Sequence, residues 1–189
     1  MSSPKYLVDT NIIVRRDEHE LYDEELFSIY WENFDKLVSN GEIISKPAVY
    51  KEIKKLFPGT ADKKHKILEW ADNHKTMFVG QEDDKYGRES NFIKKNFQGW
   101  YKYHNDREFS GDLELVVHAK AYDLVLVTLE GWNFGKHKPK ELKIPNICKL
   151  LGAFCRNGKD CTLDINPDKT PFQCIDFTEL VKRENLHIP

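Results

Sequence analysis

Four acidic residues stand where short apolar runs of the sequence end or where helical patterns occur. Asp9 follows one apolar run and Glu130 ends another, while Glu52 and Asp112 lie in helical patterns. An acid at the carboxyl end of a buried strand lies in the crevice where open α/β sheets bind ligands. Carboxylates gathered there raise each other's pKa values unless a cation binds between them. Mg²⁺ and Mn²⁺ prefer such oxygen ligands and pair with phosphates, which points to metal-dependent phosphodiester cleavage.

Each acid has an ordinary structural explanation when it is considered alone. Asp9 has the residue type of a helix N-cap, and Glu130 that of a loop acid. Glu52 has the spacing for a solvated helix pair with Lys55. Asp112 suits the start of a helix, where the helix dipole favours negative charge. The joint pattern of the four acids nevertheless favours a metal site over four unrelated structural roles.

The bulk composition limits the class of protein. The 189 residues fit one domain, and their 40% hydrophobic content is that of a folded chain. The formal net charge of −2 argues against bulk electrostatic binding of long nucleic acid but permits a local basic patch. Because no apolar stretch suits a signal peptide or a membrane span, we expect a cytoplasmic protein without a membrane partner.

Strand and helix patterns alternate along the chain. The predicted strands are 5–8, 42–45, 124–128 and 173–175. The predicted helices are one from an Asp23 N-cap to about Val38, then 47–57, a third around 67–71, most of 81–110, and finally 112–122, 145–151 and 176–184. The breakers between 154 and 172 predict irregular structure there. This alternation predicts a parallel sheet covered on both faces by helices.

The four cysteines lie in the last quarter of the chain and form no C-x-x-C pair. They are Cys148, Cys155, Cys161 and Cys174. We expect buried small side chains or free thiols. A zinc-binding interaction domain built on the three cysteines from Cys155 to Cys174 is the alternative.

The acids and their surroundings resemble a known superfamily. The motifs that carry the resemblance are Tyr6-Leu7-Val8-Asp9-Thr10-Asn11, Glu52 in a helix after a short strand, Gly111-Asp112-Leu113 and Val127-Thr128-Leu129-Glu130. In this order they resemble the PIN-domain ribonuclease superfamily, which includes many bacterial toxins. The segments 144–148 and 174–177 are similar to a PIN-like subfamily of uncharacterised, toxin-like proteins. The resemblance implies a three-layer α/β/α fold with a short, mainly parallel central sheet, in a single domain, 1–189, with an insertion at 154–172.

The resemblance also implies roles for individual residues and a cofactor. The implied catalytic and metal-binding residues are Asp9, Glu52, Asp112 and Glu130, with Mg²⁺ or Mn²⁺ as the cofactor. Glu130 stands where relatives often have Asp, which leaves open whether it reaches the metal directly or through water. Asn11 and Thr128 match polar positions that orient the carboxylates.

The activity implied is a metal-dependent endoribonuclease, the toxin of a toxin–antitoxin pair. It would hydrolyse RNA with a metal-activated water, leave 5′-phosphate and 3′-hydroxyl ends, bind a protein antitoxin and form a homodimer. The alternative is a non-catalytic PIN-like module that binds RNA or a partner.

The loop after Glu130 combines lysines with aromatic residues. Trp132, Lys136, Lys138 and Lys140 follow the last acid closely, so this loop would overhang the site. Lysines suit phosphate contacts and aromatic rings suit base stacking, which predicts substrate binding. The alternative is a solvated loop anchored by its aromatic side chains.

Overall fold

The computed structural model describes residues 3–17, 22–58, 65–80, 83–100, 111–132, 135, 138–157, 159–160 and 165–189. The predictions for Lys136, for Cys161 and for the end of the predicted helical region before Gly111 lie outside these residues. In the described part of the chain, no helix has the length and apolar character needed to cross a bilayer.

The core is a central sheet whose strands are mostly parallel. The strands are β1 (Tyr6–Val8), β2 (Ile43–Ile44), β3 (Val125–Val127), β4 (Phe154–Asn157), β5 (Lys159–Asp160) and β6 (Gln173–Ile175). Their order is β2-β1-β3-β6-β4-β5, and only β5 at the edge runs antiparallel to its neighbour. With the helices, the sheet forms the predicted three-layer α/β/α fold, which is confirmed.

The helices connect the strands as the alternating pattern predicts. Those that lie wholly within the described residues are α1 (Thr10–Ile13), α2 (Ser28–Ser39), α3 (Pro47–Leu56), α4 (Lys66–Asn73), α5 (Asp84–Asn96), α6 (Asp112–Tyr122), α7 (Ile144–Leu150) and α8 (Phe177–Arg183). Gly41 follows α2 and has a φ of 79°. This left-handed conformation suits glycine and is typical of the residue after a helix. Pro47 is the first residue of α3, where its missing N–H costs nothing.

The topology creates a crevice beside β1. The chain runs from β1 to β2 on one side and then crosses back to β3 on the other side of β1, so the strand order reverses there. Ligands bind at such switch points in open α/β sheets, outside the carboxyl ends of the strands. The Asp9 N–H donates to the Val127 carbonyl at 3.0 Å, which holds the end of β1 against the end of β3.

Two predicted elements differ from the structure. α2 begins at Ser28, because the Asp23 carboxylate accepts a hydrogen bond from the Glu25 N–H at 2.8 Å within a separate turn. The irregular segment predicted from residue 154 is wrong at its start, where β4 pairs in parallel with β6. This pairing satisfies the β4 backbone through a strand about twenty residues away, which local breaker residues do not indicate.

Arg16 fixes the segment that follows the first acid. Its side chain is fully buried, with the guanidinium 4.9 Å from the Trp31 ring centre and 4.6 Å from that of Trp70. It donates two hydrogen bonds to Asp35, at 2.9 and 3.1 Å, and pairs with Glu24. The α1 region is therefore tied to α2 and α4.

Candidate metal centre

Asp9 lies in the crevice at the carboxyl end of β1 and is 7% exposed. Its Oδ1 accepts a hydrogen bond from the Thr10 N–H at 2.7 Å, so Asp9 is also the N-cap of α1. Its Oδ2 accepts from Asn11 Nδ2 at 2.6 Å and from Thr128 Oγ1 at 2.8 Å. The ordinary N-cap role and a role in a site therefore coexist in one carboxylate.

The other three predicted acids lie close enough to Asp9 for their charges to shift its pKa. Burial raises the pKa of Asp9 well above its ordinary value, and the charges of Asp112, Glu130 and Glu52 raise it further. The hydrogen bond from Thr128 acts in the opposite direction. A carboxylate in this environment gains from a nearby cation, because the cation offsets both the burial and the repulsion.

Glu52 reaches the same neighbourhood from α3. Its Oε2 accepts a hydrogen bond from Thr10 Oγ1 at 2.5 Å, which ties the helix to the residue after Asp9. Burial and the charge of Asp112 raise the pKa of Glu52, while the Thr10 hydrogen bond and the charge of Lys55 lower it. The charge of Lys55, the predicted helix partner of Glu52, therefore acts on a carboxylate on which the charge of Asp112 also acts.

Asp112 is the first residue of α6 and is partly buried. The helix begins without a side-chain cap, because its N-cap position is Gly111. The site-facing role rests on electrostatics: the charge of Asp112 raises the pKa values of both Asp9 and Glu52. The charge of Asp112 therefore acts on both the acid from β1 and the acid from α3.

Glu130 binds to the start of α7. Its Oε2 accepts a hydrogen bond from the Ile144 N–H at 2.8 Å, and its Oε1 lies 3.1 Å from Lys143 Nζ. The charge of Glu130 still raises the pKa of Asp9. Both carboxylate oxygens are thus engaged, one of them by a cation, whereas the groups that donate to Asp9 are neutral.

The two polar residues predicted to orient the carboxylates form one network with Asp9. Asn11 Nδ2 donates to Thr128 Oγ1 at 3.0 Å as well as to Asp9. Asn11 Oδ1 accepts from the Leu129 N–H at 2.9 Å, and Thr128 Oγ1 accepts from the Glu130 N–H at 3.1 Å. The ends of β1 and β3 are therefore joined by side chains that hold Asp9 in one orientation.

Two further residues support this network and were not predicted as site residues. Thr10 lies inside the Asp-Thr-Asn motif, and its hydroxyl connects that motif to Glu52. Asn157, at the end of β4, donates to the Thr128 carbonyl at 3.2 Å. The motif position was a usable signal for Thr10, whereas Asn157 depends on a strand that the sequence did not indicate.

The donor set suits a hard divalent cation in its chemistry. Three other carboxylates, each from a different segment, act on the buried Asp9 carboxylate, and oxygen ligands of this kind bind Mg²⁺ or Mn²⁺. Among the described residues, no three Asp, Glu, His or Cys side chains already stand close enough together to form a ready-made metal site.

The predicted substrate loop is described only in part. Trp132 is half-buried, and the Lys149 ammonium lies 4.9 Å from its ring centre. Lys138 is exposed and precedes a 3₁₀ turn, Pro139–Glu141, which contains the backbone of Lys140. Lys136 and the side chain of Lys140 lie outside the described part, so substrate binding by this loop stays a prediction.

The cysteines match the expectation of buried thiols in the part that is described. Cys148, Cys155 and Cys174 are buried thiols. Burial raises the pKa of Cys148, which disfavours the reactive thiolate. No described thiol group forms a metal cluster with its neighbours.

Comparison with known proteins identifies the family without assigning an activity. No curated protein and no solved structure shows a significant match to the chain. One family model matches residues 6–160, a range that contains all four acids and the polar network. The match covers most of the chain, and the protein therefore belongs to the family described as Domain of unknown function (DUF4411).

Proposed function

We propose that the protein is a metal-dependent endoribonuclease that uses Mg²⁺ or Mn²⁺. The observation that carries this proposal is the position of Asp9 at the carboxyl end of β1, with Thr10 joining this strand end to Glu52 and Thr128 joining it to the Glu130 backbone. Such a cluster gains from a divalent cation, and divalent cations pair with phosphate groups. The choice of RNA follows the resemblance of the motifs to PIN-domain ribonucleases.

The proposed roles of the residues follow from their contacts. Asp9, Glu52 and Asp112 would hold the cation, which when bound would lower the pKa of a water molecule and offset charge on the phosphate. Asn11 and Thr128 keep the Asp9 carboxylate oriented through the hydrogen bonds that they donate. Fixing a ligand in this way lowers the reorganisation needed for binding and raises metal affinity.

The direct test is cleavage of a 5′-labelled single-stranded RNA with Mn²⁺, Mg²⁺ or EDTA. We expect cleavage by the wild type with either metal and none with EDTA. Asp112→Asn should lose activity by at least about a hundredfold while its circular dichroism spectrum remains that of the wild type. An inactive wild type in all metals, tested on RNA and DNA, would refute the nuclease proposal.

A second candidate is a non-catalytic module that binds RNA or a partner. The observation in its favour is that both oxygens of Glu130 are engaged by Lys143 and Ile144. This candidate predicts RNA binding that is indifferent to Mn²⁺ and to Asp112→Asn. The cleavage assay therefore separates the two candidates.

The toxin role is part of the same proposal and has its own test. A nuclease toxin requires a protein antitoxin, and the resemblance further implies a homodimer. We expect induced expression of the wild type alone to arrest bacterial growth, and Asp9→Asn to permit growth at equal protein level. Equal growth of both strains would remove the toxin role and leave the nuclease proposal to the cleavage assay.

A further inference from the structure

Lys143 provides a positive charge at the edge of the acidic cluster. Its ammonium lies 3.1 Å from Glu130 Oε1. Its backbone is fixed as well, because the Lys143 N–H donates to the buried Asn146 side chain at 3.1 Å. The Lys143 ammonium is thus carried by a backbone that is held at the start of α7.

The ion pair is asymmetric in its exposure to solvent. The Lys143 side chain is 49% exposed, whereas that of Glu130 is 19% exposed. The Glu130 carboxylate also accepts from the Ile144 N–H, and its own N–H donates to Thr128 Oγ1. Glu130 is therefore the fixed member of the pair, and the lysine ammonium is the member that an incoming group can reach.

A phosphodiester approaching this site meets several carboxylates that repel it. A metal ion offsets part of that repulsion, and a lysine beside the cluster offsets more, since its ammonium donates charge-assisted hydrogen bonds to phosphate. The Glu130 carboxylate is paired with an ammonium, with which a metal ion would have to compete, whereas the groups that donate to Asp9 are neutral. Both observations assign the pair to substrate rather than to metal.

We propose that Lys143 contacts the phosphate of the substrate, and that Glu130 is a positioning residue that holds Lys143 beside the cluster. Glu130 thereby leaves the group of metal ligands, which are Asp9, Glu52 and Asp112. This inference rests on the proposed nuclease function and adds to it the residue that recognises the phosphate. The lysines of the loop after Glu130 then contribute less to phosphate binding than Lys143 at the start of α7.

The test measures RNA binding apart from turnover. The probe is a fluorescein-labelled, single-stranded 12-nucleotide oligouridylate, and the background is Glu52→Gln, which suppresses cleavage. Lys143→Ala should weaken binding roughly tenfold and lower the log–log salt slope by about 0.7, whereas Lys143→Arg should retain binding. Lys75→Ala is the matched control, because Lys75 forms an ion pair of similar geometry with Asp72, at 3.3 Å.

The positioning role of Glu130 is tested by metal-induced thermal stabilisation of a variant that carries only the Glu130 substitution. Glu130→Gln retains an acceptor for the Ile144 N–H, so Mn²⁺ should still raise its melting temperature, by much more than it raises that of Glu52→Gln. The inference is overturned if Lys143→Ala binds RNA like Lys75→Ala, or if Glu130→Gln loses the metal effect as fully as Glu52→Gln. If the wild type cleaves RNA and either result is found, only this inference is contradicted. If the wild type neither binds nor cleaves RNA, the nuclease proposal is contradicted as well.

Discussion

Glu52→Gln provides the sharpest test of the candidate metal centre. The carboxylate accepts a hydrogen bond from Thr10 Oγ1, and the Gln carbonyl oxygen can accept the same bond, so the helix contact survives. What the substitution removes is a charge whose pKa is raised by burial and by Asp112. Structure and charge are therefore separated in one variant.

The expected magnitudes follow from linkage between metal binding and folding. Mn²⁺ at about a hundredfold excess over its Kd stabilises the wild type by about 2.7 kcal/mol. For a chain of this size that corresponds to a rise in Tm of roughly 5 to 10 °C. If the loss of one ligand weakens binding about a hundredfold, the same metal concentration adds only about 0.4 kcal/mol, or near 1 °C.

The metal-free proteins should differ in the opposite direction. A raised pKa in the folded state means that ionised Glu52 destabilises the fold at pH 7.5. Glu52→Gln should therefore have the higher Tm in EDTA. This advantage should shrink as the pH falls through the raised pKa of Glu52 and approaches the ordinary value of 4.5.

The assay is thermal unfolding by differential scanning fluorimetry in EDTA and in a Mn²⁺ series. Glu32→Gln is the control, because Glu32 is an exposed glutamate on α2 and its loss changes the net charge equally. A metal-induced rise in Glu52→Gln equal to that of the wild type would refute the assignment of Glu52 as a ligand. No rise in the wild type would refute the metal centre itself.

Two further predictions concern the polar network and the pH dependence of stability. Thr128→Val removes the hydroxyl that donates to Asp9 and leaves the Glu130 N–H without its acceptor, so we expect a loss of about 1–3 kcal/mol in unfolding free energy by urea titration and weaker Mn²⁺ binding by calorimetry. Burial and the charge of Lys46 lower the pKa of His118 to about 4. As the pH falls, the unfolded chain therefore binds a proton at this histidine before the folded chain does, and the unfolding free energy should fall by on the order of 2 kcal/mol between pH 6.5 and 4. His118→Gln should reduce this fall, whereas the control His187→Gln, at an exposed position, should retain it.

The sequence predicted the elements whose signals are local. The helix Asp112–Tyr122 and the strand Gln173–Ile175 match their predicted bounds, because a helix-start acid and a short β-prone run are each sufficient. β4 was missed because its partner is the distant β6. Arg16, next to another arginine, has the pattern of a solvated residue, and only the tertiary structure encloses it between Trp31 and Trp70.

The candidate site divides along the same line. Asp9, Asn11 and Thr128 were predictable because strand ends in a parallel sheet converge, and their hydrogen bonds follow from the pairing of β1 with β3. The state of Glu130 was not predictable, since it depends on how the chain returns thirteen residues later to place Lys143 beside it.

Glu130 and Lys143 form a pair with an energetic consequence for the whole site. A fourth free carboxylate would add repulsion to Asp9, whose neutral form burial already favours. Pairing with Lys143 offsets part of that charge without removing an acid from the crevice. When a phosphate draws the ammonium away, the full charge of Glu130 returns to the cluster. Cation binding by the remaining three carboxylates then becomes more favourable, because the added negative charge lies close to Asp9. RNA and Mn²⁺ should therefore each strengthen binding of the other, and Lys143→Ala should diminish that coupling.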